Sequence, residues 1–156
     1  LSTWNPFASA TLGGRTDIRS AGDVNVSAHF LVDQDGTIHQ LLPENHFARH
    51  CIGVNHIAIG IENVGGTPDH PLTDAQVEAN VSLIRDLQTR HEIDVVLGHN
   101  EIRHFESHPY FRELNPTYRS IKVDPGDAFM QQLRERMVTV KSPISTMPSQ
   151  DSDPNK

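Results

Sequence analysis

The chain holds one cysteine, Cys51, in 156 residues. An intramolecular disulfide is therefore excluded, and cysteine usage says little about compartment. No apolar run approaches the roughly 18 residues that a transmembrane helix needs, and no stretch reads as a signal peptide. Basic residues are in deficit: 13 Lys and Arg stand against 20 Asp and Glu, a formal net charge of −7. That balance argues against a general nucleic-acid binder, which needs positive charge to meet phosphates. Aromatic residues make up only 6% of the chain, and no internal repeat is present.

Histidine, by contrast, is plentiful, with ten copies. That count favours metal or proton chemistry without assigning it to a residue. Hydrophobic content of 36% and charged content of 21% fit a globular domain with a real core and some disordered sequence.

The chain is organised around residues 95–124. The apolar run Val95-Val96-Leu97 ends in Gly98-His99, as a buried strand ends at a sheet edge. Lys122 and Asp124 come later, just before a helical pattern. His99 and Asp124 are good zinc-ligand types, a neutral imidazole and a carboxylate. If residues 122–124 are extended, alternation puts Lys122 and Asp124 on one face. A cation there would stabilise an oxyanion developing beside a metal-bound water. The competing reading is that His99 is a hydrogen-bonded structural residue.

Residues 1–14 are small and polar, with Trp4 and Phe7 as surface anchors, and residues 15–21 suit a short helix. Residues 28–32 read as a strand. Asp33-Gln34-Asp35-Gly36 is a turn signal, and residues 37–42 return as the second strand of a hairpin. Residues 45–56 are irregular. The β-rich run of residues 57–64 suits a central strand buried on both faces. Glu62 lies near its end, where a carboxylate needs either a salt-bridge partner or a chemical task. Thr73 and Gln76 form a capping box, and Val77, Val81, Ile84 and Leu87 follow at helical spacing, predicting a helix over 74–90. Residues 93–97 are the next predicted strand, and strand, helix and strand in succession imply an α/β layer arrangement.

Residues 103–120 read as a long loop that walls a cleft. Its His104 and His108 suit packing better than ligation. Pro125 suits a first helical turn, with Phe129, Leu133 and Met137 on one face of a helix to about residue 138. From residue 141 the chain is rich in proline, serine and aspartate and has little to bury. The division expected is residues 1–140 as the domain and 141–156 as a disordered tail or linker.

Several of these segments together resemble one family. They are Ser27-Ala28-His29-Phe30-Leu31-Val32-Asp33 with Asp35-Gly36, then Gln40-Leu41-Leu42-Pro43-Glu44. Next come Arg49-His50-Cys51-Ile52-Gly53 with Asn55, and Ile59-Gly60-Ile61-Glu62. Gly98-His99-Asn100-Glu101-Ile102 and Lys122-Val123-Asp124-Pro125-Gly126 close the set. In this order they resemble the zinc-dependent N-acetylmuramoyl-L-alanine amidases of the type-2 class, which include peptidoglycan recognition proteins. The resemblance covers residues 27–137. It implies a mixed central sheet flanked by helices and a zinc site in a surface cleft. It implies His99 and Asp124 as two of three protein ligands, Glu62 as the base that activates water, and Lys122 as the oxyanion stabiliser. It makes His50 and Asn55 candidates for substrate contact. The substrate class it implies is peptidoglycan or a muropeptide, met in the cell envelope, in the periplasm or outside the cell.

The chain departs from the family's pattern in two places. The family's first zinc ligand is a histidine on an opening strand, and nothing before His29 matches it. His29 itself matches a hairpin position, so the ligand role is not carried onto it. The expectation is a chain that starts just after that strand. The alternative is a catalytically inactive peptidoglycan-binding module that lost the ligand. The second departure is the long insertion over 103–120, which bears on the shape of the cleft.

Overall fold

A computed structural model describes residues 26–115, 119 and 121–139. The expected helix over 15–21 and the expected tail lie outside the described residues. Strand β1 is Phe30–Val32, β2 is Ile38–Gln40 and β3 is Ile61–Asn63. They form a three-stranded sheet in the order β2-β1-β3. β1 and β2 are antiparallel, with Leu31 opposite His39. β1 and β3 are parallel, with Leu31 opposite Glu62. The hairpin turn closes as Gly36 N–H donates to the Asp33 carbonyl at 2.9 Å.

Helix α1, Asp74–Arg90, forms where the spacing predicts it, and its capping box is complete. Gln76 N–H donates to Thr73 Oγ1 at 3.2 Å, and Thr73 N–H donates to Gln76 Oε1 at 2.9 Å. One stripe of α1 meets the sheet: Leu83 and Leu87 pack with Phe30. An adjacent stripe, Val77, Val81 and Ile84, packs with Phe129, Met130 and Leu133 of α2, Asp127–Thr139. The two helices thus share a core that Ile61 and Val96 partly cover. Arg85 donates to the Arg136 carbonyl at 2.9 Å, which satisfies an acceptor at the C-terminal end of α2.

Polar groups on α1 also fix the sheet. Gln76 is fully buried. Its Nε2 donates to the Val32 carbonyl at 3.2 Å and to the Val64 carbonyl at 2.9 Å, so one side chain ties the ends of β1 and β3. Asn80 Nδ2 donates to Asn63 Oδ1 at 2.7 Å. Buried polar groups persist where every partner is supplied, as here.

Three expectations need correction. Residues 93–97 form no strand and join no ladder. The run is apolar enough for a strand, yet a strand requires a neighbour, and among the described residues none pairs with it. Of the run 57–64 only Ile61–Asn63 is laddered, and Ile57 is exposed. β3 has β1 on one side and no strand on the other among the described residues, so it is an edge strand there and not a central one, and its three residues are half-buried, not buried. Pro125 does not sit in the first turn of α2. The helix begins at Asp127, after Gly126 has turned the chain with φ of 90°.

Candidate active site

A cavity of about 920 Å³ opens between β3 and residues 93–98. Ile61, Ile84, Leu87 and Leu133 floor it, and His50, Glu62, His99 and Asp124 are among its polar residues. Five of the six site residues expected from sequence therefore meet in one cleft, since Asn55 also lines it. Lys122 is not on the lining. Its charge nevertheless reaches the site, acting to lower the pKa of Cys51, Glu62 and Asp124.

His99 is not at a strand end. It opens a 3-10 helix, His99–Phe105. The segment turns here because Gly98 N–H donates to Glu101 Oε2 at 2.7 Å and Glu101 N–H donates to the Gly98 carbonyl at 2.9 Å. Glu101 is held in turn by both terminal guanidinium nitrogens of Arg134 on α2, at 2.7 Å each. Asp124 arrives from the far side on residues 121–124. Ile121, Val123 and Asp124 are exposed there and Lys122 is half-buried. Val123 and Asp124 line the cleft and Lys122 does not, so Lys122 and Asp124 do not share the one face that alternation predicts. His99 Nδ1 lies 3.1 Å from Asp124 Oδ2. The His99 hydrogen bond is the main reason the Asp124 carboxyl lies below its ordinary pKa.

That distance allows a direct test for a metal. Two ligands about 2.1 Å from a tetrahedral zinc stand about 3.4 Å apart. The pair meets that requirement with a small adjustment, and nitrogen with carboxylate oxygen suits the ion. Among the described residues, however, no group of three or more His, Cys, Asp or Glu side chains is placed to hold a metal. The described residues therefore supply two donors of a set that needs three or four.

Glu62 stands at the centre of β3, opposite Leu31, and is half-buried. Burial raises its pKa above the ordinary carboxylate value, Asp124 adds to the rise, and His99 and Lys122 oppose it. No salt bridge involves Glu62 among the described residues, so of its two sequence readings the ion-paired one finds no partner there.

The opposite wall is the loop over residues 45–58. Asn55 organises it: its Oδ1 accepts from His50 N–H and Cys51 N–H, both at 2.8 Å. The carboxamide oxygen of Asn55 is thus committed to holding the loop. His50 Nε2 lies 3.2 Å from the Ala58 carbonyl and must carry the ring proton to bond it. Burial pushes the His50 pKa down to about 4, so the ring is neutral at physiological pH. Gly60 packs against this ring: a Cβ there would lie 2.4 Å from it, which explains a glycine inside a β-branched run. Cys51 is also half-buried, and burial pushes its thiol up to about 11.

His29 is structural, as its hairpin position implied. It is buried, accepts from Gly60 N–H at 2.9 Å through Nδ1, and donates through Nε2 to the His46 carbonyl at 2.9 Å. His104 is exposed and His108 stacks on Phe105 at 4.2 Å, so neither joins the site. The loop that carries them spans the cleft. Tyr110 Oη donates to Asp94 at 2.6 Å on one wall, and Arg112 N–H donates to the Gly53 carbonyl at 2.8 Å on the other. Sequence reasoning found this loop but not its two anchors, because neither contact has a local signature.

Residues 2–127 match the family described as N-acetylmuramoyl-L-alanine amidase. The chain belongs to this family. It is 32% identical over 89 residues to the endolysin of Escherichia phage T7, covering 54% of this chain and 59% of that protein. It is 30% identical over 81 residues to peptidoglycan recognition protein 3 of Mus musculus, covering 50% of this chain and 23% of that protein. The match thus reaches less than two thirds of the length of these curated relatives. Among solved structures, N-acetylmuramoyl-L-alanine amidase LysC from Clostridium intestinale URNW aligns with a TM-score of 0.57 at 23% identity, covering 86% of this chain and 76% of that one. At that identity the likeness concerns the fold, and it agrees with the mixed sheet flanked by helices.

Proposed function

We propose that the protein is a zinc-dependent amidase that hydrolyses the bond between N-acetylmuramic acid and the L-alanine of the peptidoglycan stem peptide. The observation that carries this reading is the convergence of His99, Asp124 and a partly buried Glu62, which forms no salt bridge among the described residues, in one cleft of an amidase-family domain. His99 Nδ1 and Asp124 Oδ2 would hold the ion. When bound, zinc supplies Lewis-acid polarisation of the scissile carbonyl and of water.

The chain's own residues do the rest. Glu62, with its pKa raised by burial, takes a proton from the attacking water and passes it to the leaving amine. Lys122 stabilises the negative charge that develops on the carbonyl oxygen. His50 carries its proton towards Ala58 and so offers Nδ1 as an acceptor for a substrate N–H. Asn55 acts mainly by holding the wall on which His50 stands. The partner is peptidoglycan or a muropeptide, encountered in the cell envelope, in the periplasm or outside the cell.

A second reading, a recognition module that binds peptidoglycan without cutting it, is favoured by one observation: the described residues offer only two metal donors. Zinc-titrated turnover on purified sacculi separates the two. The amidase reading expects turnover that chelator removes and zinc restores, with Glu62→Gln lowering it by about 10²-fold or more. Retained binding with no turnover at any zinc level would establish the recognition module instead.

A further inference from the structure

Asn100 joins the two turns that carry His99 and Asp124. Its backbone N–H donates to the Asp124 carbonyl at 2.8 Å. Its side-chain Nδ2 donates to Asp127 Oδ1 at 2.7 Å, at the first residue of α2. One residue therefore grips the Asp124 segment both at its carbonyl and three residues further on. The Asn100 carboxamide oxygen, meanwhile, is buried and has no partner among the described residues. An unpaired buried acceptor costs stability. The side chain thus carries a cost, the unpaired oxygen, alongside a gain, the charge-assisted bond to Asp127.

We infer that Asn100 is a positioning residue for the His99–Asp124 pair, an inference that rests on the reading of this pair as part of the metal site. The side-chain bond fixes where the Asp124 turn leaves α2. The backbone bond then sets Asp124 against the residue next to Asn100, which is His99. Without the side-chain bond Asn100 holds the turn at its backbone alone, and the 3.1 Å approach of Nδ1 to Oδ2 is less firmly enforced. Groups that orient metal ligands change affinity by roughly 10- to 100-fold when removed.

The test uses the full 156-residue chain and four variants: Asn100→Ala, Asp127→Asn, the exchange Asn100→Asp with Asp127→Asn, and Val81→Ala as a purely structural control. Two quantities are read besides the melting temperature. One is zinc affinity, by competition with a chromophoric chelator. The other is the 15N shift of the His99 ring in metal-free protein, which reports the Nδ1 bond to Asp124. Asn100→Ala is expected to weaken zinc by about 10-fold or more and to move the His99 shift, with little change in melting temperature. The exchange rebuilds the bond with donor and acceptor reversed and is expected to recover both readouts. Val81→Ala is expected to lower the melting temperature and leave both unchanged. An Asn100→Ala chain with unaltered zinc affinity and His99 shift would overturn the inference, as would failure of the exchange to recover either one. A wild-type chain without zinc affinity would remove the metal reading of the pair, and the metal-free His99 shift would then decide the inference alone.

Discussion

Replacing Gln76 with methionine keeps the volume and removes every side-chain hydrogen bond the residue makes. Three are lost: to the Val32 carbonyl at 3.2 Å, to the Val64 carbonyl at 2.9 Å, and from Thr73 N–H at 2.9 Å. Gln76 is fully buried, so water cannot readily replace them. At about 1 kcal/mol net per bond, rising when the partner stays buried and unpaired, the loss is about 3 kcal/mol. For a domain of this size that corresponds to a fall in melting temperature of about 10 °C. Gln131→Met on the exposed face of α2 is the control, with an expected change within about 0.5 kcal/mol. Thermal unfolding followed by far-UV circular dichroism reads both. The damage should also reach the cleft, because the bonds lost at Val32 and Val64 hold β3, and β3 carries Glu62. A Gln76→Met chain that melts within about 2 °C of wild type would refute the claim that this clamp holds helix to sheet.

Glu62→Gln should raise stability at neutral pH. A carboxyl whose pKa is raised on folding contributes stability below its unfolded value, and that contribution is lost as pH climbs through the folded value; melting curves over pH 4 to 8 should therefore converge at the acid end and separate at the neutral end. His50 works in the opposite window. Its pKa falls from 6.5 to about 4 on folding, so the unfolded chain takes up a proton that the folded chain refuses, and stability should drop as pH falls from about 6.5 towards 4; urea titrations of wild type and His50→Gln should show the variant with the flatter profile. Glu101 lies below its ordinary value chiefly because of Arg134. Glu101→Gln should cost no more than about 1 kcal/mol at neutral pH, since the pair is partly exposed, and the difference should vanish in acid.

Those residues also mark what the sequence could reveal. Helix α1 was legible to its ends because a capping box and a 3.6-residue period are local signals. The strands were legible in place but not in length. Residues 93–97 have strand composition, yet a ladder depends on a neighbour that composition does not name. The apolar spacing of α2 was legible, whereas its start was not, because Gly126 delays it past Pro125. At the site, the His99 and Asp124 residue types pointed to a shared role, and the cleft brings them together. That His99 opens a 3-10 helix was hidden, because the turn depends on Glu101 and on Arg134 from a distant helix. The clamp at Asn100 was hidden for the same reason, as both of its partners lie far along the chain. Asn55 was read as a cleft residue, which it is, but its bonds to His50 and Cys51 show that its oxygen serves the loop.

The central claim is the identity of the bond that is cut. Purified peptidoglycan digested with zinc-loaded protein should release new free amino groups in step with time, and end-group analysis should find alanine at the new N-termini. No new reducing sugar ends should appear. New reducing ends without N-terminal alanine, or amino groups from any other residue, would contradict the account.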